Sequence, residues 1–240
     1  IQPDAKAVIG SSNRRDQTSC NALGGQRMIA PRNSAFAVLA TGCDLQVQEK
    51  FVFDDQVEPQ VTFGAMSAWE WIQTNPKGEF TYMKQAIELT GLQSTYSNIT
   101  DKRTFFLLKD LAWTKIPGIM SVEFPGATSL VDPKVNIDKL RNILLYHTIT
   151  TYVDQGPDNL ITLDKDYPYN SLYTGTKLNI VTIRRDRNYV MVLNQSPALI
   201  PSILRKGGSV KLHNYIFSNG NSVAHILEDY IKNEAFKSVP

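Results

Sequence analysis

The residues of this chain best suited to metal ligation or proton transfer are three histidines, His147, His213 and His225. A helical zinc pair places two ligands four residues apart on one face, and no two of these histidines are so spaced. No G-x-S-x-G elbow raises a serine nucleophile. Gly24-Gly25 and Gly207-Gly208 lack the lysine and the helical context of a phosphate-cradling loop. Asp54, Asp55 and Glu58 lie close together without the D-x-[DN]-x-[DN]-G spacing of a calcium loop, and read as solvated linker. Paired carboxylates for glycoside hydrolysis are a spatial feature, and nothing along the chain singles out a pair. The expectation is a protein that is not an enzyme, with no catalytic residues, no metal and no cofactor.

Binding chemistry has more candidates. Arg184, Arg185 and Arg187 surround a polar turn over residues 184–188, where they can grip phosphate or sulfate or simply keep an exposed turn soluble. Trp69 and Trp71 are two residues apart and cannot share one helical stripe. One is expected in the core, while the other is either a sugar-stacking platform or partly buried too.

Met28-Ile29-Ala30-Pro31-Arg32, the small and apolar run Ser34 to Ala40, and then Thr41-Gly42-Cys43 resemble a bacterial lipoprotein signal. The resemblance makes Cys43 the lipidated first residue of the mature chain, with residues 1–42 as leader. Two other readings stay open. Cys20 and Cys43 can pair as a disulfide in an exported chain. Residues 29–36 also look like the remnant of a preceding repeat.

The formal charge of +2 is concentrated in that leader. Beyond residue 42 the chain holds 20 basic and 21 acidic residues, so it has no general attraction for a phosphate backbone, and nucleic acid is not expected as a partner. No run reaches the roughly 20 apolar residues that a spanning helix needs.

The elements that must position these residues begin late. Residues 43–66 show neither helical nor strand period and read as a tether. Ser67-Ala68-Trp69-Glu70 is a capping box that opens a short helix. A second helix is expected from about Glu79 to Thr90, stopped by Gly91. Asn136 caps a third, with Ile137, Leu140, Ile143, Leu144 and His147 on one face. His147 therefore points inward, where its ring needs a hydrogen-bond partner, and Tyr146 lies about 100° round the helix from it. Strands follow over 178–180, 189–193 and 209–217. Ser222 is expected to cap a final helix that buries Val223, Ile226, Leu227, Tyr230 and Ile231. Helices, then strands, then a closing helix give an α+β class.

Four blocks in this order resemble the fasciclin-like domain. Thr104 to Trp113 is similar to its first signature, with Thr104, Phe106, Asp110 and Ala112 in place and Leu108 where proline is usual. Leu140 to His147 resembles the Tyr-His block, Leu172 to Leu178 the L-x-G-x-x-L block, and Asn219 to Leu227 the closing N-G-x-[VI]-H-x-[IL] block. The stretch Ile116 to Val135 is longer than the family usually carries there. The resemblance covers about residues 78–234. It implies a β-sandwich-like core wrapped by helices, over 67–240, and a non-enzymatic binding or adhesion module at the cell surface or outside the cell. Tyr146 and His147 are the pair that it suggests for ligand contact. The partners implied are an extracellular protein or glycan, and the membrane through the lipid on Cys43, as an outer-membrane lipoprotein. The alternative is an accessory glycan-binding lipoprotein of a polysaccharide-uptake system.

Overall fold

In the computed structural model, the residues described are 60–75, 77–155, 160, 162–174, 179–186, 190–195, 210 and 212–233. All of them fall within one unit, Val52–Pro240. Cys20, Cys43 and the whole leader lie outside the described residues, as do Asp54, Asp55, Glu58, Arg187 and Gly207-Gly208.

The helical first half follows from local signals. Helix α1, Ala68–Thr74, starts at the expected capping box: Glu70 N–H donates to Ser67 Oγ at 3.2 Å and Ser67 N–H donates to Glu70 Oε2 at 2.8 Å. Helix α2, Thr81–Thr90, starts later than its apolar period implies, because Phe80 supplies no side-chain cap. Its cap comes from a distance: Tyr82 N–H donates to Asp110 Oδ1 at 2.9 Å. Gly91 ends α2 in the left-handed region at φ 67°, which frees its N–H and that of Leu92 to bond the last carbonyls. A four-residue helix α3, Gln93–Tyr96, leads to strand β2, Arg103–Leu108, and helix α4, Asp110–Thr114, follows it.

The inserted stretch 116–135 carries helix α5, Ile119–Glu123. Gly118 is needed before it, because a Cβ there would stand 2.4 Å from the Lys115 carbonyl oxygen. Helix α6, Ile137–Tyr146, is capped by Asn136, whose Oδ1 accepts from Lys139 N–H at 2.9 Å. It buries Leu140, Ile143, Leu144 and Tyr146, close to the face read from the sequence, although Ile137 stays exposed.

Two sheets complete the fold, the larger drawing its first two strands from the first half. The larger includes strands β1, Val61–Thr62; β3, Thr148–Ile149; β7, Leu212–Phe217; and β8, Ser222–Leu227. Their order is β1-β7-β8-β2-β3, with β2 and β8 parallel in register from Arg103↔Ser222 to Leu108↔Leu227. The smaller is an antiparallel β4-β5-β6 sheet of Tyr167–Asn170, Ile180–Arg185 and Met191–Leu193.

Two expectations are corrected. Residues 222–227 are a central strand, not a closing helix: β8 is paired on both edges and all six residues are buried. Val223, Ile226 and Leu227 fit a helical face, but a short run with four apolar residues in six, Val223, Ala224, Ile226 and Leu227, fits an interior strand equally well. The hairpin signal was present in Asn219-Gly220, which form a tight 3-10 turn with φ 53° and 94° between β7 and β8. Secondly, residues 60–66 are not tether. Val61 and Thr62 pair with Tyr215 and Ile216, Phe63 N–H donates to the Ile216 carbonyl at 2.8 Å, and Gly64 and Met66 carbonyls accept from Asn219 and Ser218.

Candidate functional site

The Tyr146-His147 pair sits at the handover from α6 to β3, and both residues are 0% exposed. The Tyr146 hydroxyl donates to the Ile180 carbonyl at 2.9 Å and accepts from Asn194 Nδ2 at 2.8 Å. Asn194 Oδ1 in turn accepts from Thr182 N–H at 2.9 Å. The ring therefore ties α6 to strands β5 and the end of β6. Burial raises the phenol to about 12, so it stays protonated and can keep donating.

The His147 ring bonds in two directions. Nε2 accepts from Ile231 N–H at 2.8 Å, and Nδ1 lies 2.8 Å from the Ile143 carbonyl oxygen. A backbone N–H needs a lone pair and a carbonyl needs a proton, so the ring is neutral with its hydrogen on Nδ1. Burial lowers its pKa to about 4, outweighing the Ile143 carbonyl and the Asp229 charge that raise it.

His225 repeats the arrangement on β8. Its Nε2 bonds the Val153 carbonyl at 2.8 Å and its Nδ1 accepts from Asn214 N–H at 3.3 Å. It stands in a strand, not in the helix expected for it, and it is fully buried. His213 lies in β7 with its side chain outside the described residues. Among the described residues no three His, Cys, Asp or Glu side chains converge as a metal site.

The arginine turn is also rearranged. Arg184 and Arg185 belong to strand β5 rather than to the turn. Arg184 Nε stands 3.9 Å from Asp166 Oδ1, and Arg185 is only 2% exposed, with Nη1 at 3.4 Å from the Gln155 carbonyl. Two of the three guanidinium groups are thus engaged within the fold. Among the described residues Glu123 on α5 is also buried, paired with Lys139 Nζ at 3.1 Å and bonded by the Tyr230 hydroxyl at 2.6 Å.

Among the described residues, a polar cleft of about 460 Å³ lined by Thr100, Asp101, Lys102, Arg103, Thr150 and Leu172 opens to solvent, as does a smaller aromatic one. Trp69 and Trp71 are both partly buried against the core, and Trp71 also lines a cleft of about 250 Å³. Phe63, Phe80 and Tyr215 form the rest of its aromatic wall, and Asn75, Lys77 and Glu79 its polar rim. Phe63 stacks on Tyr215 at 5.9 Å and 8°, while Trp71 stands edge-on to Phe80 at 5.3 Å and 63°. Glu79 Oε2 is 3.5 Å from Lys109 Nζ, which also lies 3.6 Å from Glu228 Oε1. The Tyr215 hydroxyl is held above its ordinary pKa by burial first and then by Glu79, with Lys109 opposing, so it is a neutral donor and acceptor.

The sequence leaves open which of Trp69 and Trp71 could stack a ligand, and it does not reveal the cleft. Phe63 had been placed in the tether and Tyr215 was one residue in an unpaired strand. The pairing of β1 with β7 brings them together. Among the described residues, no helix is long and apolar enough to cross a membrane.

No family profile matches the chain, and no curated protein matches it in sequence. Among solved structures it is similar to a FAS1 domain pair from the insect cell adhesion molecule fasciclin I. The match has a TM-score of 0.50 and 12% identity over 72% of this chain and 53% of that one. The chain spans about half the length of that structure. The α+β fold is therefore fasciclin-like, as the four sequence blocks imply.

Proposed function

We propose that this chain is a non-enzymatic binding module of the adhesion type, working outside the cell or at its surface. The observation that carries this is the fasciclin-like fold, shared with a domain pair from a cell adhesion molecule. The chemistry of the interior agrees with it. His147 and His225 each use both ring nitrogens on backbone groups, which leaves neither free to move a proton for a substrate. Buried as they are, Tyr146 and His147 shape the module rather than touch its partner. An extracellular protein or a glycan is the partner, and lipid on Cys43 is the attachment to the membrane.

An array of matrix proteins and glycans, probed with the purified chain, tests the reading. Saturable capture of a protein or glycan supports it, and silence across both sets overturns it. Mass spectrometry of the native protein tests the anchor separately. An unmodified Cys43 joined to Cys20 would end the lipoprotein reading.

The second reading, an accessory glycan-binding lipoprotein for polysaccharide uptake, is favoured by one feature. The partly exposed rings of Phe63, Trp71 and Tyr215 beside a cleft are a surface on which a sugar can stack.

A further inference from the structure

We propose that the aromatic cleft between α1, the start of α2 and β7 is a binding site for a neutral pyranose sugar. This rests on the reading of the chain as a binding module. A pyranose ring has an apolar C–H face and an equatorial belt of hydroxyls. The cleft presents both complements at once. Phe63, Trp71 and Tyr215 supply partly exposed aromatic surface over the buried ring of Phe80, and the rim supplies an amide at Asn75, an ammonium at Lys77 and a carboxylate at Glu79. The Tyr215 hydroxyl joins them as a protonated phenol.

Charge selects against ionic ligands. Lys109 lies between Glu79 and Glu228, at 3.5 and 3.6 Å, and Lys77 brings the local set to two carboxylates and two ammonium groups. A balanced rim has no field with which to favour a phosphate, a sulfate or an acidic peptide. Size argues in the same direction. At about 250 Å³ the cleft is below the roughly 300–1,000 Å³ of ordinary small-molecule pockets and suits one ring at a time. A purely apolar side chain in the same place would strip water from the rim groups without replacing their hydrogen bonds.

The ring Trp71 makes the site observable by its fluorescence. The full chain is titrated with neutral hexose and N-acetylhexosamine trisaccharides, with a hexuronic acid trisaccharide and a leucine- and phenylalanine-containing peptide alongside. A saturable change with at least one neutral sugar is expected, and no change with the acidic one. Asn75→Ala and Tyr215→Phe each remove one polar group at the cleft while keeping its aromatic surface. Each is expected to weaken sugar binding by about threefold to tenfold, the worth of one hydrogen bond. The melting temperature should be unchanged in Tyr215→Phe, whereas Asn75→Ala also gives up the 3.0 Å bond that Asn75 Oδ1 accepts from Lys77 N–H. The inference is overturned if no neutral sugar gives a saturable change. It is also overturned if both variants bind as the parent does, or if only the peptide binds. Should these fail while the array still captures a partner equally with parent and variants, the binding-module reading stands and the cleft assignment alone falls. Failure of both experiments removes both.

Discussion

Nε2 of His147, the residue that closes helix α6, accepts a 2.8 Å hydrogen bond from the backbone N–H of Ile231, 84 positions further along the chain. The same ring bonds the Ile143 carbonyl one turn back in its own helix. One imidazole thereby fastens the C-terminal segment to α6 and leaves none of its own polar atoms free. His147→Ala should lower stability by about 1–3 kcal/mol, because it orphans the Ile231 N–H and opens a void. A denaturant titration reads the loss. If the variant kept its midpoint but lost capture on the array, His147 would be a contact residue and its structural role would be refuted.

The same ring makes stability depend on pH. Burial lowers the folded-state pKa of His147 to about 4 from the ordinary 6.5, so folding favours the neutral form. Its contribution is complete above pH 6.5 and is lost as pH falls from there toward 4. A shift of this size corresponds to about 3 kcal/mol. Denaturant midpoints measured from pH 7 to 4 should therefore fall in the parent chain, and fall less steeply in His147→Ala. Parallel curves for the two proteins would assign the acid sensitivity to other groups.

Tyr146→Phe isolates the hydroxyl that joins α6 to the smaller sheet. The change leaves the Ile180 carbonyl and the Asn194 amide each short of a partner, with the ring still packed. A loss of about 1–2 kcal/mol is expected, read as a lowered melting temperature without change in far-ultraviolet dichroism. A neutral effect would mean that water or rotation of Asn194 replaces the bond.

Lys139 and Glu123 offer a test by double-mutant cycle. Lys139→Met leaves a carboxylate that is 1% exposed with, among the described residues, the Tyr230 hydroxyl as its side-chain partner, and should cost about 3–5 kcal/mol. Glu123→Gln in the Lys139→Met background removes the stranded charge and should recover part of that loss. Additive losses would show that the two groups are not coupled.

Ser67→Ala removes the side-chain half of the α1 capping box. About 1 kcal/mol should be lost, since Glu70 N–H then has no hydroxyl to bond. Because α1 carries Trp71, the tryptophan emission of the variant also reports whether the cleft keeps its shape.

Local chemistry was enough to read much of the helical half. Ser67 with Glu70, Gly91, and Asn136 each satisfy orphan backbone groups within three or four residues, so their meaning does not depend on the rest of the chain. The inward turn of His147 followed from the same helical period. Tertiary structure decided the rest, for definite reasons. Ser222 to Leu227 became a strand because β2 and β7 supply hydrogen bonds to both of its edges, and neither neighbour can be inferred from a six-residue run of largely apolar side chains. Phe63 left the expected tether because Val61 and Thr62 found the exposed edge of β7, more than 150 residues away. Asp110 caps α2 from 28 positions off, and Ile231 meets His147 from 84. The aromatic cleft belongs to this second class. Its four rings come from β1 and its extension, α1, the turn before α2, and β7, so only the folded chain makes them neighbours.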